Sequence, residues 1–419
     1  MIEYKKSQKI LLKSKIKIGN EIILTQNSLN RIAAKNIFSK SNYPSKNNTA
    51  FDGYAVNSKE TIGLSKKNKK KFRILKTIAA GDNPKIKNIK KYNSVEIMTG
   101  ALIPKHFDTV IPIEKIIYYP NKTNPKFIII DEKISKNNHV RFAGSDYKKG
   151  AKVVSVGEII NPSHLLAFKT LGIEKIEVKK KPLIVFYSTG NEISKKNNIP
   201  NWKIRNSNSH YIKSLSKNLF FDVIDGGILR DKDDDLFKKL IKKNFKSKYN
   251  IIITNGAVSA GKFDFVPRII KYFKLSNYFK GVAIRPGKPI MFAKFKNKNK
   301  SFFGLPGNPI SSAACFKFFV YPYLRLILNM KNEKPFKAKL KNNYSKKKNY
   351  TRFLKSKIAV NRKGILEVEI LKGQESFRIK SFTEANSWAL FKSGKFNFKK
   401  GELIDCFPPL GYQQNFFSK

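Results

Sequence analysis

At 419 residues, 41% of them hydrophobic, the chain is long enough for several separate cores rather than one. Its 85 basic residues against 29 acidic ones give a formal charge of +56, yet only 11 of the 85 are arginine, the residue that base readout and phosphate forks favour. This argues against a dedicated nucleic-acid surface. The lysines run from end to end beside abundant Asn, Ile and Phe, residue types that share A/T-rich codons, so genome composition is the simpler source of the charge. Polyanions will still be drawn to such a surface weakly and with strong salt dependence.

No stretch reaches the roughly 18 uninterrupted apolar residues of a membrane helix. The best candidate, residues 316–328, is broken by Lys317, Pro322 and Arg325. The lysine-studded N-terminus does not read as a signal peptide. The two cysteines, Cys315 and Cys406, lack metal-ligand spacing and are expected as reduced thiols in the cytoplasm.

In chain order, Leu29, Ile32, Ala33 and Ile37 recur at helical spacing and predict a helix over 28–38. From 39 to about 140 the texture turns to short β-rich runs and turn residues. This reads as a β-rich module inserted into whatever the flanking segments build. A helix is expected at 163–171, stopped by Gly172. Residues 182–188 form a buried-strand pattern ending in Thr189-Gly190, followed by helical spacing at 208–219 and a short strand at 221–224. A further helix follows at 233–245, with Leu236, Leu240 and Ile241 on one face. Then comes an apolar strand at 250–254 ending in Asn255-Gly256. Strands alternating with helices imply an α/β unit with a mainly parallel sheet and functional loops at the carboxyl ends of its strands. The tail from 332 reverts to short β runs such as 365–371 and suggests a small barrel. Lysine-rich connections at 65–71, 296–300 and 344–349 read as solvated loops, and Tyr, Phe and Trp as core.

The strongest local signal is T-N-G-A-V-S-A-G-K-F-D at 254–264. A glycine-rich loop directly after a parallel strand turns backbone N–H groups toward one point and makes an anion nest. Ser259 adds a hydroxyl, Gly256 and Gly261 let the backbone approach a ligand, and Asp264 can reach back as metal ligand or ribose acceptor. The first strand ends similarly, in S-T-G-N-E at 188–192, and Asp231 offers a third carboxylate beside Glu192 and Asp264. Carboxylates beside an anion nest suit a magnesium–phosphate site. The acidic run 233–235 is more simply a helix N-terminus.

The Pro-Gly turns of I-R-P-G-K-P at 284–289 and L-P-G-N-P at 305–309 present Arg285 and Lys288 at defined positions, where they could stabilise an oxyanion. In the inserted module, N-T-A-F-D-G-Y-A at 48–55 carries Asp52 and M-T-G-A at 98–101 carries Thr99. R-F-A-G-S-D at 141–146 carries Arg141 and Asp146. Taken singly, each of these is also what an ordinary turn looks like. The four histidines, His106, His139, His164 and His210, show no pairing that would support a metal site or a catalytic triad.

In this order the motifs resemble the molybdopterin molybdenumtransferase family, which includes the E domain of gephyrin, over about residues 20–412. The resemblance implies a multidomain α/β plus β chain. Its parts would be a discontinuous linking and dimerisation domain at 1–38 and 141–180, and an inserted β-rich domain at 39–140. A central three-layer α/β molybdopterin-binding domain would occupy 181–331 and a small C-terminal β-barrel 332–419. It also implies a homodimer that takes adenylated molybdopterin and molybdate, uses Mg²⁺, inserts the metal and releases AMP, with the pterin adenylyltransferase as a further partner.

Carried onto this chain, Glu192, Asp231 and Asp264 would line the pterin–nucleotide crevice with Mg²⁺ among them, beside Thr189 and Gly190. Gly256, Ser259 and Gly261 would cradle phosphate, and Lys288, Lys280 and Arg285 would hold molybdate or the phosphate. Pro306 and Pro309 would sit beside the site. Asp52, Thr99, Arg141 and Asp146 match positions that bear on activity, part of that domain facing the partner's cleft in the dimer. Two departures stand out. Phe51 replaces the usual Met, and Ala257 replaces the second glycine of the anion loop, where an added Cβ restricts positive φ.

Alternatives from the same residues are a pterin adenylyltransferase, a tungstate-inserting homologue, a non-catalytic scaffold and a polyanion binder. The inserted module and the C-terminal domain argue against the first.

Overall fold

The computed structural model describes residues 1–258, 266–273, 275–295, 298–347 and 349–410. Six strands form the central sheet: β1 (Leu183–Thr189), β2 (Asp222–Leu229), β3 (Ile251–Asn255), β4 (Ser276–Lys280), β5 (Met291–Lys294) and β6 (Ser301–Leu305). Their order is β2-β1-β3-β6-β5-β4. The first four in that order run parallel, and β5 and β4 close the edge antiparallel.

β3 is buried at every position and β1 from Ile184 onward, as apolar runs covered on both faces should be. Because successive side chains point to opposite faces, Ile184, Phe186, Ile251 and Ile253 join one core with Ile212 and Ile310, from helices α1 (Ser207–Ser216) and α4 (Pro309–Cys315). Val185, Tyr187 and Ile252 join another with Phe237, Ile241 and Val266, from α2 (Asp234–Phe245) and α3 (Val266–Tyr272). The chain leaves β1 for β2 on one side and then crosses to β3 on the other. β1 therefore lies at the switch in strand order, where open α/β sheets bind ligands.

A second six-stranded sheet is built within residues 53–130, antiparallel except where Lys70–Ile78 meets Asn93–Ile97. The segments before and after it zip together in three antiparallel pairings: Asn20–Leu24 with Lys175–Lys179, Ile37–Phe38 with Lys152–Val154, and Asn48–Thr49 with Val140–Arg141. Near the C-terminus, Thr351–Val360 pairs with both Leu366–Ile370 and Ser387–Phe391. Phe336–Leu340 and Leu403–Phe407 complete the ring, so five strands close into a barrel without free edges. Ile284–Arg285 pairs onto the barrel strand Thr351–Val360 and fastens the barrel to the central sheet.

Several expectations are corrected. Residues 28–38 are not helical. Asn30 sits at φ 62, Ile32 and Ala33 bridge to Ile159 and Val178, and Ile37–Phe38 is a strand. Ile32 and Ala33 are fully buried, so the helical spacing reflected packing partners on two sides of an extended segment. The helix near the N-terminus is instead Tyr4–Lys13. The helix expected at 163–171 is present as Pro162–Thr170, with Asn161 and His164 forming its capping box. Within the lysine-rich connections, Lys300 and Lys346 are buried, not solvated, because their ammonium groups are taken up by backbone carbonyls. Trp388 is core, but Trp202 is 76% exposed. Both cysteines are free and buried, and burial raises both thiol pKa values, Cys406 to about 12. Among the described residues, no helix is long and apolar enough to cross a membrane.

Candidate functional site

A cleft of about 460 Å³ opens at the carboxyl ends of β1, β3 and β6. Thr189, Gly190 and Glu192 enter it from the turn after β1, Asp231 from the end of β2, Gly256 and Ala257 from the turn after β3, and residues 306–309 from the turn after β6. Gly190 lies at φ +138, and a Cβ there would stand 2.3 Å from Glu192 Oε2. The glycine is what lets the Glu192 carboxylate fold back against its own turn. One nitrogen of Arg230, Nη1, donates to the carbonyls of Gly190 (3.0 Å), Asn191 (3.1 Å) and Ile193 (2.8 Å). The Asp231 amide donates to Asn191 Oδ1 (3.2 Å), so the turns carrying the two carboxylates are laced together.

Gly256 adopts φ +99 and presses against Thr189, whose Oγ1 would lie 2.6 Å from an added Cβ. Its amide is already committed to Leu305 O (2.9 Å), so its contribution is close approach and not an N–H for a ligand. The amides of Ala257 and Val258 have no partner among the described residues. Beneath this turn lies a network of amides. Asn255, 1% exposed, donates through Nδ2 to Pro306 O (2.7 Å) and Ser312 Oγ (2.9 Å). Asn208 Nδ2 donates to Asn255 Oδ1 (2.6 Å) and Gly307 O (2.7 Å), and Thr189 Oγ1 donates to Asn255 O (3.0 Å). Ser188 Oγ donates to Asn206 Oδ1 (2.7 Å). A satisfied network of this kind holds three strand ends and the start of α1 in one arrangement.

The expected cations Lys280, Arg285 and Lys288 are not among the residues that line the cleft. Lys280, Arg285 and Lys288 are exposed, and their side chains have no hydrogen-bond or ion-pair partner among the described residues. Pro289 lines the cleft beside Lys288. The loop is seated on α4: a Cβ at Gly287 would meet Cys315 Sγ at 2.4 Å, and that thiol donates to Gly287 O (3.5 Å). Arg285 pairs in register with Arg352 of the barrel, whose Nε is buried without a partner among the described residues. Two guanidinium-bearing residues in register on adjacent strands, neither matched by a carboxylate among the described residues, favour an oxyanion nearby.

Of the remaining expected residues, Asp52 and Thr99 are brought together, whereas Arg141 and Asp146 sit on separate backbone pairings. Asp52 accepts from the Thr99 amide (2.6 Å) and hydroxyl (2.8 Å), bonds that hold its carboxyl below the usual range. Arg141 is the strand partner of Asn48, whose buried Oδ1 is unpaired among the described residues. Asp146 is exposed, its amide donating to Tyr43 O (3.1 Å). None of these four lines the cleft of its own chain.

Residues 2–172 match the family model of the MoeA N-terminal region (domain I and II), and residues 186–326 match a probable molybdopterin binding domain. The molybdopterin molybdenumtransferase of Staphylococcus aureus (strain Mu50) is 31% identical over 390 residues, covering 91% of this chain and 90% of its own length. The chain belongs to the molybdopterin molybdenumtransferase family. A molybdopterin molybdenumtransferase of Staphylococcus epidermidis (strain ATCC 12228) is 29% identical over 411 residues, covering 96% of this chain and 94% of its own. The crystal structure of a molybdopterin biosynthesis MoeA protein from Pyrococcus horikoshii superposes with a TM-score of 0.83 at 26% identity, across 98% of this chain and 100% of that one.

Within this member of the molybdopterin molybdenumtransferase family, the cleft unites Thr189, Gly190, Glu192, Asp231, Gly256, Pro306 and Pro309. Ser259, Gly261 and Asp264 lie outside the described residues. Among the described residues, no group of three or more His, Cys, Asp or Glu is placed to hold a metal, and Glu192 and Asp231 are the carboxylates of the cleft. Ala257 takes φ +53, so the departure noted from the sequence falls where a Cβ is strained. Asn206, Asn208, Asn255 and Arg352 were not anticipated. The R-N-S-N run at 205–208, polar residues just ahead of a helix, was the available signal for the first two; Arg352 had none.

Proposed function

We propose that the chain transfers molybdenum from molybdate to the dithiolene of adenylated molybdopterin and releases AMP, as a cytoplasmic homodimer that uses Mg²⁺. The observation that carries this reading is one cleft in which Glu192 and Asp231 face a close backbone turn, with Lys288 next in sequence to the cleft-lining Pro289 and without a side-chain partner among the described residues. The donors fit magnesium, which takes one or two carboxylates and completes its shell with water and substrate phosphate. Glu192 and Asp231 would hold it, with Asp264 added by resemblance. Bound there, it would neutralise charge on the phosphoanhydride.

The chain's own residues do the positioning. The Ala257 and Val258 amides face the adenylate phosphate, the asparagine network keeps that turn rigid, and Arg285, Lys288 and Arg352 gather the molybdate oxygens. Two Mo–S bonds then form as the two dithiolene thiols give their protons to one molybdate oxygen, which leaves as water, and a second water cleaves the phosphoanhydride to give AMP and the pterin phosphate. No protein nucleophile is called for, and rate enhancement comes from orientation and fixed charge. The Asp52–Thr99 pair, remote from its own cleft, would serve the cleft of the partner subunit.

The test is incubation of purified protein with adenylated molybdopterin, Mg²⁺ and molybdate. AMP should appear only when molybdate is present, and Glu192→Ala and Asp231→Ala should each abolish it. AMP release without molybdate, or full activity in both variants, would sink the reading; replacing molybdate by tungstate distinguishes the oxyanion.

A further inference from the structure

Lysine is rarely withdrawn from water, because a buried ammonium costs several kcal/mol unless every donor is satisfied. Lys355, on the barrel strand Thr351–Val360, is 1% exposed. Among the described residues no carboxylate forms an ion pair with it, although the Glu375 charge favours its ammonium form. Its Nζ donates instead to three backbone carbonyls, Gly373 O (2.7 Å), Arg378 O (3.0 Å) and Glu375 O (3.3 Å). An ammonium has three N–H donors, and all three are used. The Gln374 side chain closes the cage from the other side, accepting from the Lys355 amide (3.0 Å) and donating to Lys355 O (2.7 Å). Burial pulls the lysine pKa down, yet the carbonyl ring suits the charged form.

The caged loop leads to the cleft. Ser376, at its apex, accepts on Oγ from Asn308 Nδ2 (3.0 Å) and on its carbonyl from the Ile310 amide (3.2 Å). Asn308 and Pro309 line the cleft, and Arg352 stands three residues before Lys355 on the same strand. We propose that Lys355 is a positioning residue: its ammonium, ringed by the carbonyl oxygens of Gly373, Glu375 and Arg378, holds the barrel loop 372–378 against the 306–309 turn. The barrel thereby completes the oxyanion side of the cleft. Lysine here acts as a covalently tethered monovalent cation. Methionine, of similar length, cannot replace it, because three converging carbonyls would be left facing an apolar group.

The turnover readout rests on the proposed transferase activity, but the structural readout does not. In full-length Lys355→Ala the three carbonyls would surround an empty site the size of a small ammonium ion. Amide hydrogen exchange in 373–378 and at Ile310 should accelerate about tenfold or more. The KM for molybdate should rise by a similar factor, with the KM for the adenylated pterin little changed. Methylammonium, at on the order of 50 mM, should restore both exchange protection and molybdate KM, whereas tetramethylammonium should not.

Lys355→Met, which fills the volume without the charge, separates this role from simple packing. If Lys355→Met keeps wild-type exchange and molybdate KM, the proposal is overturned. It is equally overturned if a folded Lys355→Ala protein gains no exchange protection from methylammonium. Should the wild-type protein release no AMP, the functional reading falls while the exchange measurements still decide the role of Lys355.

Discussion

Replacing Gly256 by alanine should unseat the cleft, and the size of the effect follows from three local terms. At φ +99 an L side chain costs about 1–2 kcal/mol. The new Cβ would lie 2.6 Å from Thr189 Oγ1 and 2.7 Å from Thr189 O, where carbon contacts normally settle near ~3.5 Å. Overlap of this kind in a packed site costs roughly 1–3 kcal/mol. Thr189 cannot retreat without giving up its 3.0 Å bond to Asn255 O, worth about 1 kcal/mol. Reduced freedom of the unfolded chain returns about 0.5–1 kcal/mol. The net loss is about 4 kcal/mol, or roughly 8–16 °C in the melting of a unit of this size. Scanning calorimetry of the full chain gives the melting shift, and titration calorimetry with AMP gives the second readout, which should show weakened binding. A melting temperature within about 2 °C of wild type together with unchanged AMP affinity would refute the argument.

The adjacent residue predicts a different outcome. Ala257→Gly relieves strain at φ +53 and loses a partly packed methyl, so stability should change by less than about 1 kcal/mol, whereas Ala314→Gly in α4 should cost about 1.5–2 kcal/mol; comparison of the two melting shifts checks this. Thr99→Val should raise the Asp52 carboxyl pKa, readable by carbon NMR titration. Because Asp52 is held low in the folded protein, its stabilising contribution is present above the unfolded carboxyl value of about 3.9 and is lost as pH falls through the folded value, so the variant should lack that part of the acid limb. Lys317, 2% exposed, pairs with Glu333 at 2.8 Å, and Lys317→Ala should cost about 3 kcal/mol, the lower end for a buried pair because Glu333 keeps some solvent contact. The double variant Lys317→Met with Glu333→Gln should recover most of that loss in chemical denaturation. A double variant no more stable than Lys317→Ala would contradict the assignment.

Local order in the sequence determined the frame of this protein. The apolar runs at 183–189 and 251–255 had to become buried parallel strands, because a strand covered on both faces has no polar side to display. Gly190 and Gly256 follow those strands directly, so the turns and the carboxylate of Glu192 were legible from adjacency alone, and Asp231 from its place after a third strand. Residues 28–38 misled for the same reason: a one-dimensional period counts neighbours along the chain, while Ile32 and Ala33 find theirs at Ile159 and Val178.

Only the tertiary structure decided what depends on strand order. Arg352 meets Arg285 because the Ile284–Arg285 strand pairs onto the barrel, and Asn255 meets Asn208 because β3 lies beside β1 at the switch. Lys300 and Lys346 read as solvent-facing charges until distant carbonyls close around them. A side chain's chemistry is written in the residue, but whether it is spent on water, on a backbone carbonyl or on a ligand depends on segments tens to hundreds of positions away. Those segments arrive only when the sheets and the barrel close.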